Sequence, residues 1–345
     1  MVILMKSAEL QIDLDAILYN VRHLKCYYQK NIIAVLKDNA YGLGLLPIAK
    51  ALQYEDNIVF ALSDFNEIKL LRENNINNRI IYLNVFDEND LEIIEKYKVD
   101  VVVQSIKQYE IIKNKSIPFH IKVNTGMNRL GLNKKDFNKI LRHVKENNCL
   151  QGIMTHFANN DIDHKAYYLF EQYVKVLKRD DIMIHCFASS SLNERFDDIS
   201  NYIRIGIKLY GIGERNSFLH NALTLTSPIL TVKKVNKFEK VGYDLAYQVL
   251  ENGYLYILPI GYGQGWGRFT NSFAFCNYNY LKQAGKISMD YSTYYSKNKK
   301  SENEIVELFG SHISIESIAK ENNMSPHEII IHLNVKKKYL IKTAA

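Results

Sequence analysis

Residues 32–83 read IIAVLKDNAYGLGLLPIAKALQYEDNIVFALSDFNEIKLLRENNINNRIIYL, and two periods alternate within them. Ile32–Lys37, Ile58–Ser63 and Arg79–Leu83 are short apolar runs rich in β-branched residues, the pattern of strands buried on both faces. Between the second and third, Phe65–Asn74 (FNEIKLLREN) spaces its apolar residues as a helix does. The alternation continues outward. Asp100–Gln104, Phe119–Asn124, Gly152–Phe157, Met183–Ala188 and Tyr202–Ile207 read as further strands, with helical patterns at Lys135–Asn147 and His164–Arg179. Apolar strands separated by helices imply a parallel sheet covered on both faces. Eight such repeats over this length predict an α/β fold, a (β/α)8 TIM barrel. Ahead of the first strand, Leu14–Lys25 predicts an extra helix with Asp13 as its N-cap.

Beyond Gly213 the texture changes to Tyr-, Thr- and Val-rich segments broken by Gly and Asn, such as LAYQVLENGYLYILPIGYG, and helical periodicity returns at Ile315–Asn323. The expected division is a TIM-barrel domain at 12–213 and a mostly β C-terminal domain at 214–345. The strand-like AELQIDL lets residues 1–11 pair with the latter. At 345 residues, 47% apolar and 23% charged, the chain can bury a sizeable core, which excludes a disordered protein. The four cysteines stand singly with no CxxC pair, so no disulfide framework and no metal site is assigned, and a reducing compartment suits them. No secretory leader and no run long enough to span a bilayer is read, so the expectation is a soluble cytoplasmic protein with no membrane partner. The net charge of +7 is spread along the chain instead of being gathered on one element between aromatics, which argues against a nucleic-acid partner.

A barrel of this kind holds its active site at the carboxyl ends of its strands. There the sequence offers Lys37, Arg129, His156, the hydroxyls Ser189–Ser191, and Arg204 before Gly206. A lysine at such a mouth can be desolvated, which lowers its pKa and frees the amine to form a Schiff base with a carbonyl compound. Hydroxyls and backbone amides near Gly206 suit a phosphate at the ends of the last two strands. Arg204 lies inside the apolar run IRIGI, where a buried guanidinium requires partners. His120, His143, His164, His185 and His332 are left as structural. Cys186 beside His185 is not a nucleophile pair, because adjacent strand residues face opposite ways.

Seven segments in order carry a resemblance: AVLKDNAYGLG (34–44), HIKVNTGMNRLGL (120–132), GIMTHFANND (152–161), HCFASSSL (185–192), NYIRIGIKLYGIG (201–213), LPIGYGQGW (258–266) and GKISMD (285–290). Together they resemble the bacterial alanine racemases, pyridoxal-phosphate enzymes of fold type III, over nearly the whole chain. The resemblance implies an isomerase that interconverts L- and D-alanine by two-base proton transfer on a pyridoxal 5'-phosphate aldimine, supplying D-alanine for peptidoglycan. It implies that Lys37 binds the cofactor and acts as one base, and that Tyr262, reaching in from the partner subunit of a homodimer, is the other. Tyr41, Ser190, Gly206 and Ile207 would contact the phosphate, Arg204 the pyridine nitrogen, and His156 would touch both Arg204 and Tyr262. Arg129 and Met289 would meet the substrate carboxylate. In several members the lysine matching Lys122 is carbamylated.

Departures from the family pattern are Asp38 for alanine, Asn124 and Gln264 for aspartates, Lys286 for arginine and Ser288 for a frequent cysteine. Near the carboxyl end SPHEIII replaces a PYEIL-like motif, which puts His327 in the place of a tyrosine that touches phosphate and narrows the substrate gate. A serine or broader-specificity racemase on the same scaffold is therefore the alternative reading. A non-catalytic pyridoxal-phosphate-binding protein is a third, opposed by the presence of both Lys37 and Tyr262, since storage needs no second base. A pyridoxal-dependent decarboxylase is opposed by the lack of a glycine-triplet phosphate loop.

Overall fold

The computed structural model describes residues 7–158, 164–192, 199–213 and 218–341. The chain forms two compact units. One comprises Asn20–Ala40 and Gly44–Leu209; the other takes the residues up to Tyr19, Tyr41–Leu43, and those from Tyr210 onward.

After β1 (Glu9–Asp13) and the helix Leu14–Tyr28, eight parallel strands follow. They are β2 (Asn31–Val35), β3 (Val59–Leu62), β4 (Ile80–Tyr82), β5 (Asp100–Val103), β6 (Phe119–Lys122), β7 (Leu150–Met154), β8 (Met183–His185) and β9 (Tyr202–Ile205). Each pairs with the next in sequence from β2 to β8, and β9 returns to pair with β2 (Ile33 opposite Arg204). The gap between β8 and β9 is bridged by Ala188 and Arg204, with the Arg204 amide donating to the Phe187 carbonyl at 3.0 Å. The predicted TIM barrel is thus present and nearly closed.

Local chemistry sets its elements. The side chains of Asp13, Asp64, Ser105 and Asn133 each accept a backbone N–H at the start of the following helix, stopping the strand-to-helix turns where a donor would be orphaned. The strand apolar runs are buried throughout: all four residues of β3 and all four of β5 are inaccessible. One expectation fails at β2. The apolar run suggests a strand to Lys37, yet pairing stops at Val35, because the chain must turn sharply there.

The second unit is built on β10 (Leu223–Pro228), β11 (Thr231–Val235), β12 (Lys240–Val241), β13 (Tyr247–Gln248), β14 (Gly253–Leu258), β15 (Phe273–Cys276), β16 (Asn279–Gln283), β17 (Ser292–Ser296), β18 (Ile305–Phe309) and β19 (Lys336–Leu340). Nine strands form one sheet in the order β11-β14-β17-β16-β15-β18-β10-β1-β19, and β12 pairs with β13. Every pair in the large sheet is antiparallel except β1 with β19. Trp266, Tyr210, Tyr256 and Tyr294 fill the interior of this unit. The helix Ile315–Glu321 matches the expected periodicity, and a second helix, Pro326–His332, was not anticipated. Its signal was present in SPHE: Ser325 caps the Glu328 amide, Pro326 opens the helix, and Glu328 reaches back to the Ser325 N–H.

Candidate active site

Lys37 stands where β2 gives way to a turn of unusual hand. Asp38, Asn39, Ala40 and Tyr41 all have φ between 53° and 61°, so the chain makes a left-handed helical turn from four non-glycine residues. Each such residue costs about 1–2 kcal/mol, so the surroundings must hold the turn in place. They do so through Asn39. Its amide donates to Glu67 Oε1 at 2.5 Å, its side-chain oxygen accepts from the Leu45 amide at 2.8 Å, and its carbonyl accepts from Gly44 at 2.9 Å. The Lys37 side chain is 42% exposed, and its Nζ lies 3.5 Å from Asp38 Oδ2. The side chain is thus only partly withdrawn from water.

Inside the barrel both terminal nitrogens of Arg204 are engaged. Its Nη2 donates to the carbonyls of Thr155 (2.7 Å) and Cys186 (3.2 Å), and its Nη1 donates to the His185 carbonyl and faces His185 Nδ1 at 3.1 Å. His156 Nδ1 lies 3.5 Å from Nη2. Burial brings the guanidinium down to about 10, still charged at neutral pH. His156 is pushed down to about 3, first by burial and then by the charges of Arg204, Arg129, Lys122 and Lys37. It is a neutral imidazole, not a cationic neighbour. Since a guanidinium only donates, His156 Nδ1 is the acceptor and its proton sits on Nε2. Lys122, buried at the end of β6 with Nζ 3.3 Å from Gln104 Oε1, is lowered to about 8 by burial and by Arg129 and Arg204. Arg129 itself is exposed, on a loop organised by Asn124, whose Oδ1 accepts from the Gly126 and Asn128 amides. Asparagine thus fills the turn-forming role at the position where aspartate is usual.

At the next strand ends, Ser191 closes a turn onto Ala188, Ser190 is exposed at its tip, and Ser189 Oγ accepts from the Gly206 amide at 2.9 Å. Ile207 is buried and opens a short 3-10 turn, Ile207–Tyr210. In the other unit the Tyr41 ring packs against Tyr210 (6.2 Å between centroids) and His327 (5.7 Å).

Tyr262 and Met289 belong to the β-rich unit and are 42% and 55% exposed. The two segments are docked together: the Tyr262 amide donates to the Ser288 carbonyl (3.1 Å) and Gly263 to the Met289 carbonyl (2.8 Å). Gly261 permits this closeness, because a Cβ there would lie 2.2 Å from the Ser288 oxygen. Gln264 Oε1 accepts from the Gly261 amide at 2.9 Å and fixes the loop, and the Arg268 guanidinium lies 5.8 Å over the Tyr262 ring.

Residues 12–214 match the family model described as alanine racemase, N-terminal domain, and residues 222–339 the alanine racemase, C-terminal domain. The chain belongs to the alanine racemase family. An alanine racemase of Streptococcus equi subsp. equi is 31% identical over 305 residues, covering 82% of this chain and 83% of its own. That of Dichelobacter nodosus is 29% identical over 350 residues, 94% and 96% of the two chains. Among solved structures, the Bartonella henselae alanine racemase with covalently bound pyridoxal phosphate has 27% identity and a TM-score of 0.88. It covers 97% of this chain and 99% of its own. The Acinetobacter baumannii alanine racemase, 24% identical, shares the fold with a TM-score of 0.89, covering 97% and 100%.

The alanine racemase reading gathers Lys37, Lys122, Arg129, His156 and Arg204 within the barrel unit, and Tyr41, Tyr262 and Met289 in the other. The sequence reading passes over His120 and His185, both completely buried in the barrel. Their signal lay in the strand period. In DVVVQ and FHIK, Asp100 shares a face with Gln104, and His120 with Lys122, so polar residues recur along otherwise apolar strands on the face that Lys122 marks.

Proposed function

We propose that the chain racemises alanine with pyridoxal 5'-phosphate, using Lys37 and Tyr262 as its two proton-transfer groups. One observation carries this reading: four cationic side chains, Lys37, Lys122, Arg129 and Arg204, act together on the neutral His156 at one barrel mouth. That excess of positive charge fits a ligand bearing a phosphate and a phenolate, with Lys37 as the only one of the four that ends on the open turn after β2. When bound, the cofactor supplies a sink for the electron pair left at Cα once the α-proton departs.

The residues divide the remaining work. Lys37 Nζ anchors the cofactor and serves the proton on one side of Cα; Tyr262 Oη serves the other. Arg204, protonated throughout, would hold the cofactor's ring nitrogen and, being only a donor, would leave it without a proton, which moderates the sink. His156, neutral with its proton on Nε2, can donate to the Tyr262 oxygen and so favour its anionic form. The Ser190 turn, the Gly206 and Ile207 amides and Tyr41 hold the phosphate. Arg129 and Met289 receive the substrate carboxylate. Lys122, with an amine lowered to about 8, has enough neutral form near neutral pH to take up carbon dioxide. The carbamate, formed with release of a proton, would be an anion paired with Arg129, leaving Lys37, Arg129 and Arg204 as the site's cations. Residues 12–213 then bind the cofactor, and 214–345 present Tyr262.

Tyr262 works in this scheme from the second subunit of a homodimer. The support is the surface around it. Phe238, Tyr243, Leu245, Leu250, Tyr262, Met289 and Tyr291 are all exposed on loops of one unit. Those loops are tied together by the Lys286–Asp244 ion pair and by the close approach of Gly242 to Gly285. A cytoplasmic setting and D-alanine supply for peptidoglycan complete the proposal.

The test is L-alanine incubated with the cofactor-loaded protein in heavy water. Optical rotation should decay while deuterium enters Cα. Tyr262→Phe should bind cofactor and lose the racemisation. Full activity in that variant would remove the second-base assignment, and rotation loss with L-serine but not L-alanine would move the substrate to serine.

A further inference from the structure

A row of buried polar groups crosses the barrel behind Arg204. His185 Nδ1 faces Arg204 Nη1 at 3.1 Å, His185 Nε2 faces His120 Nδ1 at 3.0 Å, and His120 Nε2 faces Asp100 Oδ2 at 3.3 Å. Asp100 Oδ2 also accepts from Arg79 Nε at 2.5 Å, and Arg79 Nη2 donates to Gln151 Oε1 at 2.6 Å. Both histidines are completely buried, and the Asp100 side chain is 5% exposed. Strand β7 makes room for the row: a Cβ on Gly152 would lie 2.2 Å from His120 Nδ1.

The donors and acceptors admit one proton arrangement. A guanidinium only donates, so His185 Nδ1 must accept. A neutral His185 then carries its proton on Nε2 and gives it to His120 Nδ1. His120 in turn carries its proton on Nε2, directed at the Asp100 carboxylate. Burial, aided by Arg204, lowers both rings and keeps them neutral. The other acceptors of Arg204 are the three backbone carbonyls and His156 already described. The row therefore joins the cation Arg204 to the carboxylate Asp100 through two imidazoles of fixed tautomer.

We propose that Asp100 and His120 are positioning residues that act through His185 to orient the Arg204 guanidinium. This rests on the reading that Arg204 faces the cofactor's ring nitrogen. The opposite tautomers would set His185 Nδ1–H against Arg204 Nη1–H, two donors in contact, and turn the guanidinium away. The row thus selects one orientation of the group that decides the protonation of the ring.

Nitrogen-15 histidine labelling of the whole protein, read by two-bond proton–nitrogen correlation, tests the tautomers directly. Two rings with protonated Nε2 and bare Nδ1 are expected, assigned by their loss in His120→Gln and His185→Gln. An imidazolium, or an Nδ1–H ring at either position, overturns the proposal, and this reading of the tautomers does not depend on activity. In the holoenzyme, His120→Phe keeps the ring shape but removes both nitrogens. It should lower kcat by about tenfold or more, leave KM for alanine within about twofold, and shift the cofactor's visible band. His120→Gln, which can both accept from His185 and donate to Asp100, should restore most of the activity and the band. Wild-type kcat and band in His120→Phe would overturn the positioning role. Arg204→Gln separates the two layers. If it leaves the band unchanged, the reading of Arg204 has failed; if it moves the band while His120→Phe does not, only the present proposal has.

Discussion

His156 shows how one side chain reports the charge of a whole site. Its folded-state pKa, near 3, lies below the ordinary 6.5, so acid protonates the unfolded chain first. The stability this group confers is complete above about pH 6.5 and is lost as pH falls from there toward 3. At pH 5 the loss from this residue is about 2 kcal/mol relative to pH 7. Urea unfolding of cofactor-free protein should show it: the stability difference between wild type and His156→Asn should shift by about that amount between the two pH values. An unchanged difference would mean that the imidazole titrates normally. At this scale the sequence was only partly legible. Arg204 declared itself, because a guanidinium inside IRIGI requires partners, whereas the neutral state of His156 depends on burial and then on four cations brought together from distant stretches of chain. His120 and His185 looked like filler for the same reason: neither neighbour of each in the row, Asp100 or Arg204, is near it in sequence.

Among the elements, the left-handed turn after Lys37 is the one that local propensity argues against. Four non-glycine residues adopt it, and Glu67 Oε1, from the following helical segment Phe65–Glu73, accepts the Asn39 amide that anchors it. Glu67→Ala should therefore leave that amide unpaired, destabilise the protein by about 1–3 kcal/mol, and weaken cofactor retention, measured by urea midpoint and by dialysis of the loaded protein. Equal midpoints would show that the turn stands without Glu67. The barrel strands were legible because burial on both faces leaves continuous apolar runs, which no local chemistry disguises. The turn was not, since KDNAY contains no glycine to announce φ above zero. The same limit hid Pro326–His332, where a run of isoleucines suggests a strand, and the cap at Ser325 and Glu328 decides otherwise.

For the molecule as a whole, the exposed apolar loops around Tyr262 predict assembly. Leu245→Asp with Leu250→Asp, both more than half exposed, should leave the fold intact and yield monomers in sedimentation velocity. Those monomers should still bind pyridoxal phosphate and should fail to racemise alanine, since Tyr262 would no longer reach a second subunit's Lys37. Full activity in a monomer would place Tyr262 in service of its own chain. The apolar surface behind the proposed dimer was not readable from periodicity, because apolar residues on Gly- and Asn-rich loops look like ordinary β-hairpin sequence until their common exposure is seen.

Strand β1 pairs with β10 on one side and β19 on the other, while all eight barrel strands are encoded between β1 and β10. On a ribosome, then, Glu9–Asp13 has no sheet neighbour until Leu223–Pro228 follows, some 210 residues later. At synthesis rates of about 5–20 residues per second, that is an interval of roughly ten to forty seconds. Five residues of strand edge wait unpaired through that time while the eight barrel strands are being made. Its second partner, Lys336–Leu340, arrives later still, after β10 and the rest of the large sheet have been made. That seam of the sheet thus waits for the last-made of its three strands, and a ribosome stalled before Lys336 would release a chain with the seam open.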